Sequence, residues 1–587
     1  MNKIKIIALV LLLQTAFASV GQEEDVPSIY KYWVELNSKE VDKYSVDKPK
    51  AFLTQRAIDR RSKQNIAILE QDFPVNEEFI KKINSDFNAA VLSRSRWFNA
   101  LIIETYDDEV IKDIKELAFV KSIKLLGKWD DDDGDEEEED AEKDSAYYAN
   151  LDAAVENYDE PRRKSYVKYT SISDLKSGIY GDAQTQIKIM NGIKLHDMGY
   201  KGEGMVIAIL DAGFLNVNTM PQFDSLRKNG QILGTKDLVE FDDDVYKDDN
   251  HGMNVLSCMG ANIPGVIVGT APKASYWLIR TEDNGTEFPV EEANWVVGAE
   301  YADSVGADVI NSSLGYTAFE DDFLRKTAVL DGKTSIATLG ADIAASKGIV
   351  ICTSAGNSGE SKEWKYIGTP ADAFNVLSVG GINKSKDRST FSSYGPTADG
   401  RIKPTVSAVA TSSIVAEGDG AGTSNGTSFA SPILCGMVAC LWQANPTKTY
   451  SEIMDAIIKS GSHYSKPDNS FGHGVPDFYY ANLLLGGMSN LDMTQDHLIS
   501  PVISNFTNWI DIRFYSASNQ EIDVLIEYEP REGTKKKKVH NSQHVLTKGQ
   551  FLNFNPGKKL KAKKSEGKYF LTITTADGTK FVRDLEK

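Results

Sequence analysis

Cysteine is scarce, with four in 587 residues. Cys258, Cys352, Cys435 and Cys440 all stand in apolar periodic stretches, and Cys435 and Cys440 point to different faces of one helical pattern. No spacing among them fits a zinc site. They read as small buried hydrophobes and not as a disulfide frame. Positive charge is also short: 65 Lys and Arg face 84 Asp and Glu, a formal net charge of −19. That excludes nucleic-acid binding as the main role, because phosphate neutralisation needs clustered cations. Beyond the N-terminus no stretch is apolar enough for a membrane helix. The one marked apolar run, Ile6 to Leu13 continuing to Phe17, follows Lys3 and Lys5 and ends in Ala16-Phe17-Ala18. This is the layout of a secretory signal peptide over residues 1–18. No Cys follows it, so lipid attachment there is excluded. At 41% apolar and 25% charged, the remainder has the balance of an ordinary globular chain and is long enough for several domains.

The acidity is concentrated. Twelve carboxylates and one Lys lie between Asp130 and Asp144, whereas Asp496 to Lys587 carries a net charge of +5. Such a run reads as a solvated, self-repelling linker, with weak calcium attraction as the other reading.

The patterns divide the mature chain. Residues 22–128 form a compact α+β unit. Tyr32 to Leu36, Asn99 to Thr105 and Val120 to Leu126 read as strands, and Asp107 to Leu117 has helical apolar spacing. Residues 129–178 are an acidic and polar linker. Residues 179–487 alternate strands and helices. Val206 to Leu210, Ala307 to Ile310, Gly348 to Cys352 and Val376 to Val379 are near-continuous apolar runs, as strands buried on both faces are. Glu291 to Val305 and Ile336 to Ser346 are helical. This order predicts an α/β fold, a parallel sheet with helices on both faces, whose chemistry sits at the carboxyl ends of the strands. Residues 495–587 lose the alternation and predict a small all-β domain. There Ile522 to Tyr528, Gln550 to Phe554 and Tyr569 to Thr574 are strands, and Lys535 to Lys538 is a solvated hairpin turn.

Three polar residues close segments of the large α/β unit. Asp211 ends the strand Val206 to Leu210. His251 opens the helical pattern of Asn250-His251-Gly252-Met253. Ser428 lies where a turn runs into an apolar helix, in Gly426-Thr427-Ser428-Phe429-Ala430-Ser431-Pro432. Taken singly, these are a helix cap, a structural histidine and an N-cap. Taken together they have another use. A neutral Ser hydroxyl needs a base within hydrogen-bond reach, and the base needs a carboxylate to fix its tautomer. Asp, His, Ser is a known chain order for that device. Asn357, in the Gly-flanked loop Ser354 to Gly359, is a side-chain donor at the same end of the sheet and a candidate for an oxyanion hole.

On these motifs the chain resembles the subtilisin-like serine proteases, the subtilases, over about residues 180 to 487. The Ser motif differs from the usual family form mainly at Phe429, commonly Met. Asn311-Ser312-Ser313-Leu314-Gly315 matches the segment that pairs with the substrate backbone in the family. Arg280-Thr281-Glu282-Asp283 looks most like secreted Bacteroidetes-type members. One departure stands in the His motif, where Met253 and Asn254 replace the usual Thr and second His.

The resemblance implies a secreted serine endopeptidase made as a zymogen. Asp211, His251 and Ser428 would be catalytic, Asn357 would serve the oxyanion, and Ser313, Leu314 and Gly315 would bind protein or peptide substrates. Residues 22–128 would be a propeptide acting as folding template and intramolecular inhibitor. The chemistry requires no cofactor and no catalytic metal. A structural calcium is possible, with Asp242-Asp243-Asp244 and Asp248-Asp249 as the dense oxygen cluster. The C-terminal unit is either a secretion-sorting or an ordinary accessory β-domain. The competing reading is an inactive subtilase-fold binding or scaffold protein. A dinucleotide site at Gly199 to Gly204 is excluded, because those glycines precede the strand they would have to follow.

Overall fold

The computed structural model describes residues 28–39, 43–129, 178–320 and 329–486, together with strands between 502 and 585. The signal-peptide segment 1–18, the acidic run 130–144 and most of the linker lie outside the described residues.

The N-terminal unit is a four-stranded antiparallel sheet of β1 (Ile29–Leu36), β2 (Ala90–Ser95), β3 (Ala100–Thr105) and β4 (Val120–Trp129), in the order β2-β3-β1-β4. Its helices are α1 (Gln55–Lys63), α2 (Glu77–Asp86) and α3 (Val110–Lys115). Because side chains alternate across a strand, the sheet presents two apolar faces. Tyr32, Val34, Leu101 and Ile103 meet Ile83 of α2 and Ile114 of α3, while Trp33, Ala100, Ile102 and Leu126 face the next unit. The expected helix Asp107 to Leu117 is shorter, Val110–Lys115.

The central unit is a seven-stranded, all-parallel sheet. Its strands are β5 (Val206–Asp211), β6 (Ile232–Asp237), β7 (Ser275–Arg280), β8 (Val309–Ser312), β9 (Val350–Ser354), β10 (Val376–Ile382) and β11 (Val406–Val409), in the order β11-β10-β9-β8-β5-β7-β6. The apolar runs have a plain cause. In β5, Ile207 and Ile209 pack on one face with α4 (His251–Gly260) and α7 (Thr427–Ala444). Val206, Ala208 and Leu210 pack on the other with α5 (Val290–Val305) and α6 (Ile336–Ser346). The sequence pattern left β6, β7 and β11 unassigned. β6 is an edge strand of mixed burial, so its apolar pattern is broken.

α7 is long and apolar enough to cross a membrane by length and composition alone, yet 83% of it is buried in this core. The four cysteines are free and buried. In the C-terminal stretch the strands form a three-stranded and a four-stranded antiparallel sheet. The Lys535 to Lys538 turn is corrected in part. Lys537 and Lys538 belong to the strand Lys537–Leu546 and pair with Tyr528 and Glu527.

The N-terminal sheet lies on the start of α5. Trp33, Ala100, Ile102 and Leu126 share one apolar cluster with Phe288, Val290 and Ala293. Further along α5 the contact becomes ionic. Glu300 accepts from Ser95 Oγ at 2.5 Å, Arg96 N at 2.7 Å and Trp97 N at 3.0 Å. Asp303, fully buried, receives Arg60 at 2.5 Å and Arg61 and Arg96 at 2.6 Å. Burial opposes the charge on Asp303, but the three guanidinium groups hold its carboxyl below the usual range.

Candidate active site

Asp211 is the last residue of β5 and is fully buried. Its Oδ1 accepts from the Ala212 N–H at 2.9 Å and meets His251 Nδ1 at 2.7 Å. His251 is the first residue of α4. The chain brings the two so close because residues 252 and 213 are glycines. A Cβ on Gly252 would lie 2.3 Å from the Gly213 carbonyl oxygen and 3.0 Å from Asp211 Cβ. Burial alone lowers a histidine pKa. Here the Asp211 charge and hydrogen bond, with smaller contributions from Asp249 and Glu282, outweigh it, and the His251 pKa is raised. Met253, one of the two departures in the His motif, packs into the main core.

Ser428 is the second residue of α7, so it is not the N-cap. That place is taken by Gly426, whose φ of 149° suits glycine. Ser428 Oγ donates to the Ser313 carbonyl at 3.2 Å, and Ser313 Oγ donates to the Ser428 carbonyl at 2.7 Å. The hydroxyl thus rests on the Ser313 backbone and not on the imidazole. A Ser–His hydrogen bond requires the Ser428 hydroxyl to leave that carbonyl, and such bonds often tighten only when substrate is bound. The His251 ring lies 6.0 Å from the ring of Phe429, the next residue along α7. The Ser428 N–H, in the first turn of α7, has no acceptor among the described residues, and the helix dipole adds partial positive charge there.

Asn357 follows β9 in the same loop cluster. Its Oδ1 accepts from both Thr427 N and Thr427 Oγ1, each at 2.9 Å. This fixes the amide so that Nδ2 is the donating end, 3.7 Å from where a Gly426 side chain would begin. Thr427 is therefore a positioning residue that the sequence reading did not single out. Asn311 is another. It donates to Ser313 Oγ at 3.0 Å and accepts from Ser431 Oγ at 2.9 Å, tying β8 to α7. Beyond Ser313, Leu314 is half-buried and Gly315 exposed, with nothing within 4 Å of a Cβ at Gly315. The site thus has a hydroxyl, a carboxylate-backed imidazole, an amide donor and a helix N-terminus facing one open backbone edge. That set suits acyl transfer.

The family model described as "Subtilase family" matches residues 202–474, and one described as "Peptidase S8 propeptide domain, Bacteroidota" matches residues 31–143. Over 285 residues the chain is 30% identical to Subtilisin of Bacillus pumilus, covering 48% of this chain and 92% of that relative. The chain belongs to the subtilase family. It is also 31% identical over 284 residues to Subtilisin NAT of Bacillus subtilis subsp. natto, covering 48% of this chain and 65% of that relative. Among solved structures, MycP1 from Mycobacterium smegmatis aligns at 21% identity and a TM-score of 0.40, covering 51% of this chain and 84% of that one. Apart from the first two residues of β1, the N-terminal sheet and its helices lie within the match to the propeptide model.

The acidic cluster expected to attract calcium is held here by protein donors. Asp237, Glu240 and Asp242 offer oxygens within 4.8 Å of one another. Lys247 already holds Glu240 and Asp242 at 2.8 Å, and Arg280 holds Glu240 at 3.0 Å and Asp248 at 3.1 Å. Asp243 pairs with Lys236 at 2.7 Å. Asp249 is taken by the His251 N–H and by Asn284. These oxygens are neutralised by side-chain cations and backbone donors, which a calcium ion would have to displace.

Proposed function

We propose that the chain is a secreted serine endopeptidase made as a zymogen. Residues 1–18 are the export signal, 22–128 the inhibitory propeptide, 129–178 the linker that is cut, 179–487 the catalytic domain and 495–587 an accessory or sorting domain. His251, held by Asp211, takes the proton of Ser428 as its oxygen attacks the scissile carbonyl, and then gives it to the leaving amine. Asn357 Nδ2 and the Ser428 N–H receive the developing oxyanion. Ser313, Leu314 and Gly315 pair with the substrate backbone. The observation that carries this reading is the Asp211–His251 bond at 2.7 Å, set beside a serine at a helix N-terminus. A fluorophosphonate probe on the matured enzyme tests it. The expected result is labelling of Ser428 that depends on His251; no labelling would favour a non-catalytic scaffold.

Three further outcomes follow from the geometry. Asn357→Ala lowers kcat by roughly 10² to 10³ with KM little changed, the loss seen for one oxyanion donor; a change confined to KM would move Asn357 to substrate binding. Gly315→Val weakens peptide cleavage broadly while a small ester is hydrolysed nearly as before, because the open space at Gly315 is where a peptide backbone would approach. Equal loss on both substrates would place Gly315 in support of the catalytic centre. Because a base must be neutral and the His251 pKa is raised, kcat/KM climbs with pH through a value above the ordinary histidine range of about 6.5. In Asp211→Asn the residual activity climbs at lower pH, and an unmoved limb would dissociate it from His251.

A further inference from the structure

The buried residues of α1 are Ala57, Arg60 and Arg61, so little of what this propeptide helix brings to its contact is apolar. Instead, three side chains at every fourth position reach into the catalytic unit. Arg56 Nε donates to the Gly306 carbonyl at 2.9 Å and Nη2 to the Gly204 carbonyl at 3.0 Å, and the guanidinium also pairs with Asp308. Arg60 donates to the Ala307 carbonyl at 2.6 Å and to the Lys347 carbonyl at 3.3 Å. Gln64, just past the helix, donates to the Gly348 carbonyl at 2.8 Å and accepts from the Tyr450 N–H at 2.8 Å. The last turn of a helix leaves carbonyls without partners and carries partial negative charge, so guanidinium groups suit it. α5 and α6 both end here, at Gly306 and Gly348, each with a φ of 87°. A Cβ on Gly306 would lie 2.7 Å from Arg56 Cγ, and one on Gly348 would lie 2.5 Å from Gln64 Nε2. Only glycine leaves room there for α1.

What α1 holds is the beginning of the sheet. β9, β8 and β5 are neighbours at its centre, and all three start beside these contacts. Asp308 is where they meet. Its N–H donates to the Val206 carbonyl at 2.8 Å and its carbonyl accepts from Val350 N at 3.1 Å. Its Oδ2, which Arg56 holds, accepts from Val206 N at 2.8 Å. The same three strands lead to the candidate site: Asp211 closes β5, Ser313 follows β8 and Asn357 lies in the loop after β9. The heights of these groups relative to one another are set by strand register. In a strand with one buried face, a slip of one residue turns apolar side chains outward, and the pattern itself forbids it. Val206 to Leu210, Val309 to Ile310 and Val350 to Cys352 are buried on both faces, so a slip exchanges apolar for apolar. Pattern alone therefore specifies their register weakly. Hydrogen bonds to particular carbonyls are position-specific in a way that apolar contact is not.

We propose that α1 is a register staple: while the chain folds, Arg56, Arg60 and Gln64 fix the amino ends of β5, β8 and β9, and so the relative heights of Asp211, Ser313 and Asn357 at the other end. The inference rests on the zymogen reading and assigns the propeptide's folding work to one helix. Pairing of parallel strands joins segments distant in sequence, which makes it slow. A bracket across the three starts shortens that search. Once the strands are packed, the staple can leave with the propeptide.

The test compares the full chain with a variant carrying Arg56→Ala and Gln64→Ala together, both with Ser428→Ala so that the chain stays whole. Alanine keeps the helix and removes the contacts. Refolding on dilution from denaturant, and unfolding on its addition, are followed by tryptophan fluorescence. A staple acts before the sheet is complete, so the double variant should refold at least about tenfold more slowly and unfold at a rate within about threefold of the parent. Refolding at the parent's rate with faster unfolding would show that α1 docks on a finished sheet, and would overturn the proposal. If the double variant does not fold, Arg56→Ala and Gln64→Ala are read singly in the same way: slower refolding supports the staple, and faster unfolding alone overturns it. The zymogen reading fails separately. Active wild-type enzyme that still carries residues 22–128 by mass analysis would overturn that reading, and the division of labour with it, whatever the rates.

Discussion

Ser428→Ala yields a folded protein whose peptidase activity falls by on the order of 10⁶-fold in kcat, the scale of loss when the nucleophile of a subtilisin-type triad is removed. The substitution deletes one oxygen and little volume. The hydrogen bond lost with it is the one to the Ser313 carbonyl. Ser313 Oγ still reaches the Ser428 backbone at 2.7 Å, so the joint between β8 and α7 persists. His251→Ala does comparable damage. The double variant is scarcely worse than either single one, because a triad acts as a unit and its losses are not additive. Steady-state kinetics on the matured enzymes, with circular dichroism to establish folding, checks this. Substantial turnover by Ser428→Ala would remove Ser428 from the mechanism, and a double variant far worse than both singles would show two independent contributions.

Asp303→Asn loosens the propeptide without touching the chemistry. Three guanidinium groups of the N-terminal unit converge on this one carboxylate, and Arg61 also binds Asp72, which in turn meets Lys347 of the catalytic unit at 3.0 Å. Breaking a buried ion pair by removing one partner costs about 3–5 kcal/mol, since the abandoned charges stay buried. On that scale the propeptide's hold weakens by at least about 100-fold. In the variant, the cleaved propeptide should separate from the catalytic unit on gel filtration under conditions where it co-elutes with the wild type, and activity should appear sooner after cleavage. Once the propeptide has gone, kcat/KM on a small ester should equal that of the wild type, because Asp303 lies on α5, away from the catalytic groups. Unchanged co-elution would mean that the apolar contact of Trp33, Ile102 and Leu126 with Phe288 and Val290 carries the interface by itself.

The sequence by itself determined the class of the fold and singled out the candidate site residues. The runs in β5, β8, β9 and β10 are apolar without alternation because both faces of that sheet are covered, and only a parallel sheet between helix layers makes that demand. Asp211, His251, Ser428 and Asn357 were legible because each sits in a short segment whose glycines and neighbours answer to local backbone needs. Close approach at Gly252 and the positive φ of Gly426 are of that kind. What one-dimensional pattern could not carry was partnership across long stretches of chain. β6 escaped notice because an edge strand buries one side unevenly. The pairing of the aspartates at 242 to 248 with Lys236, Lys247 and Arg280 is not visible in the local sequence. Thr427 gained its role from a bond to a residue 70 positions away. The convergence of Arg60, Arg61 and Arg96 on Asp303 was likewise decided by tertiary structure alone. Charge and burial take their meaning from which groups lie within a few ångströms, and that distance is set by the packing of whole elements.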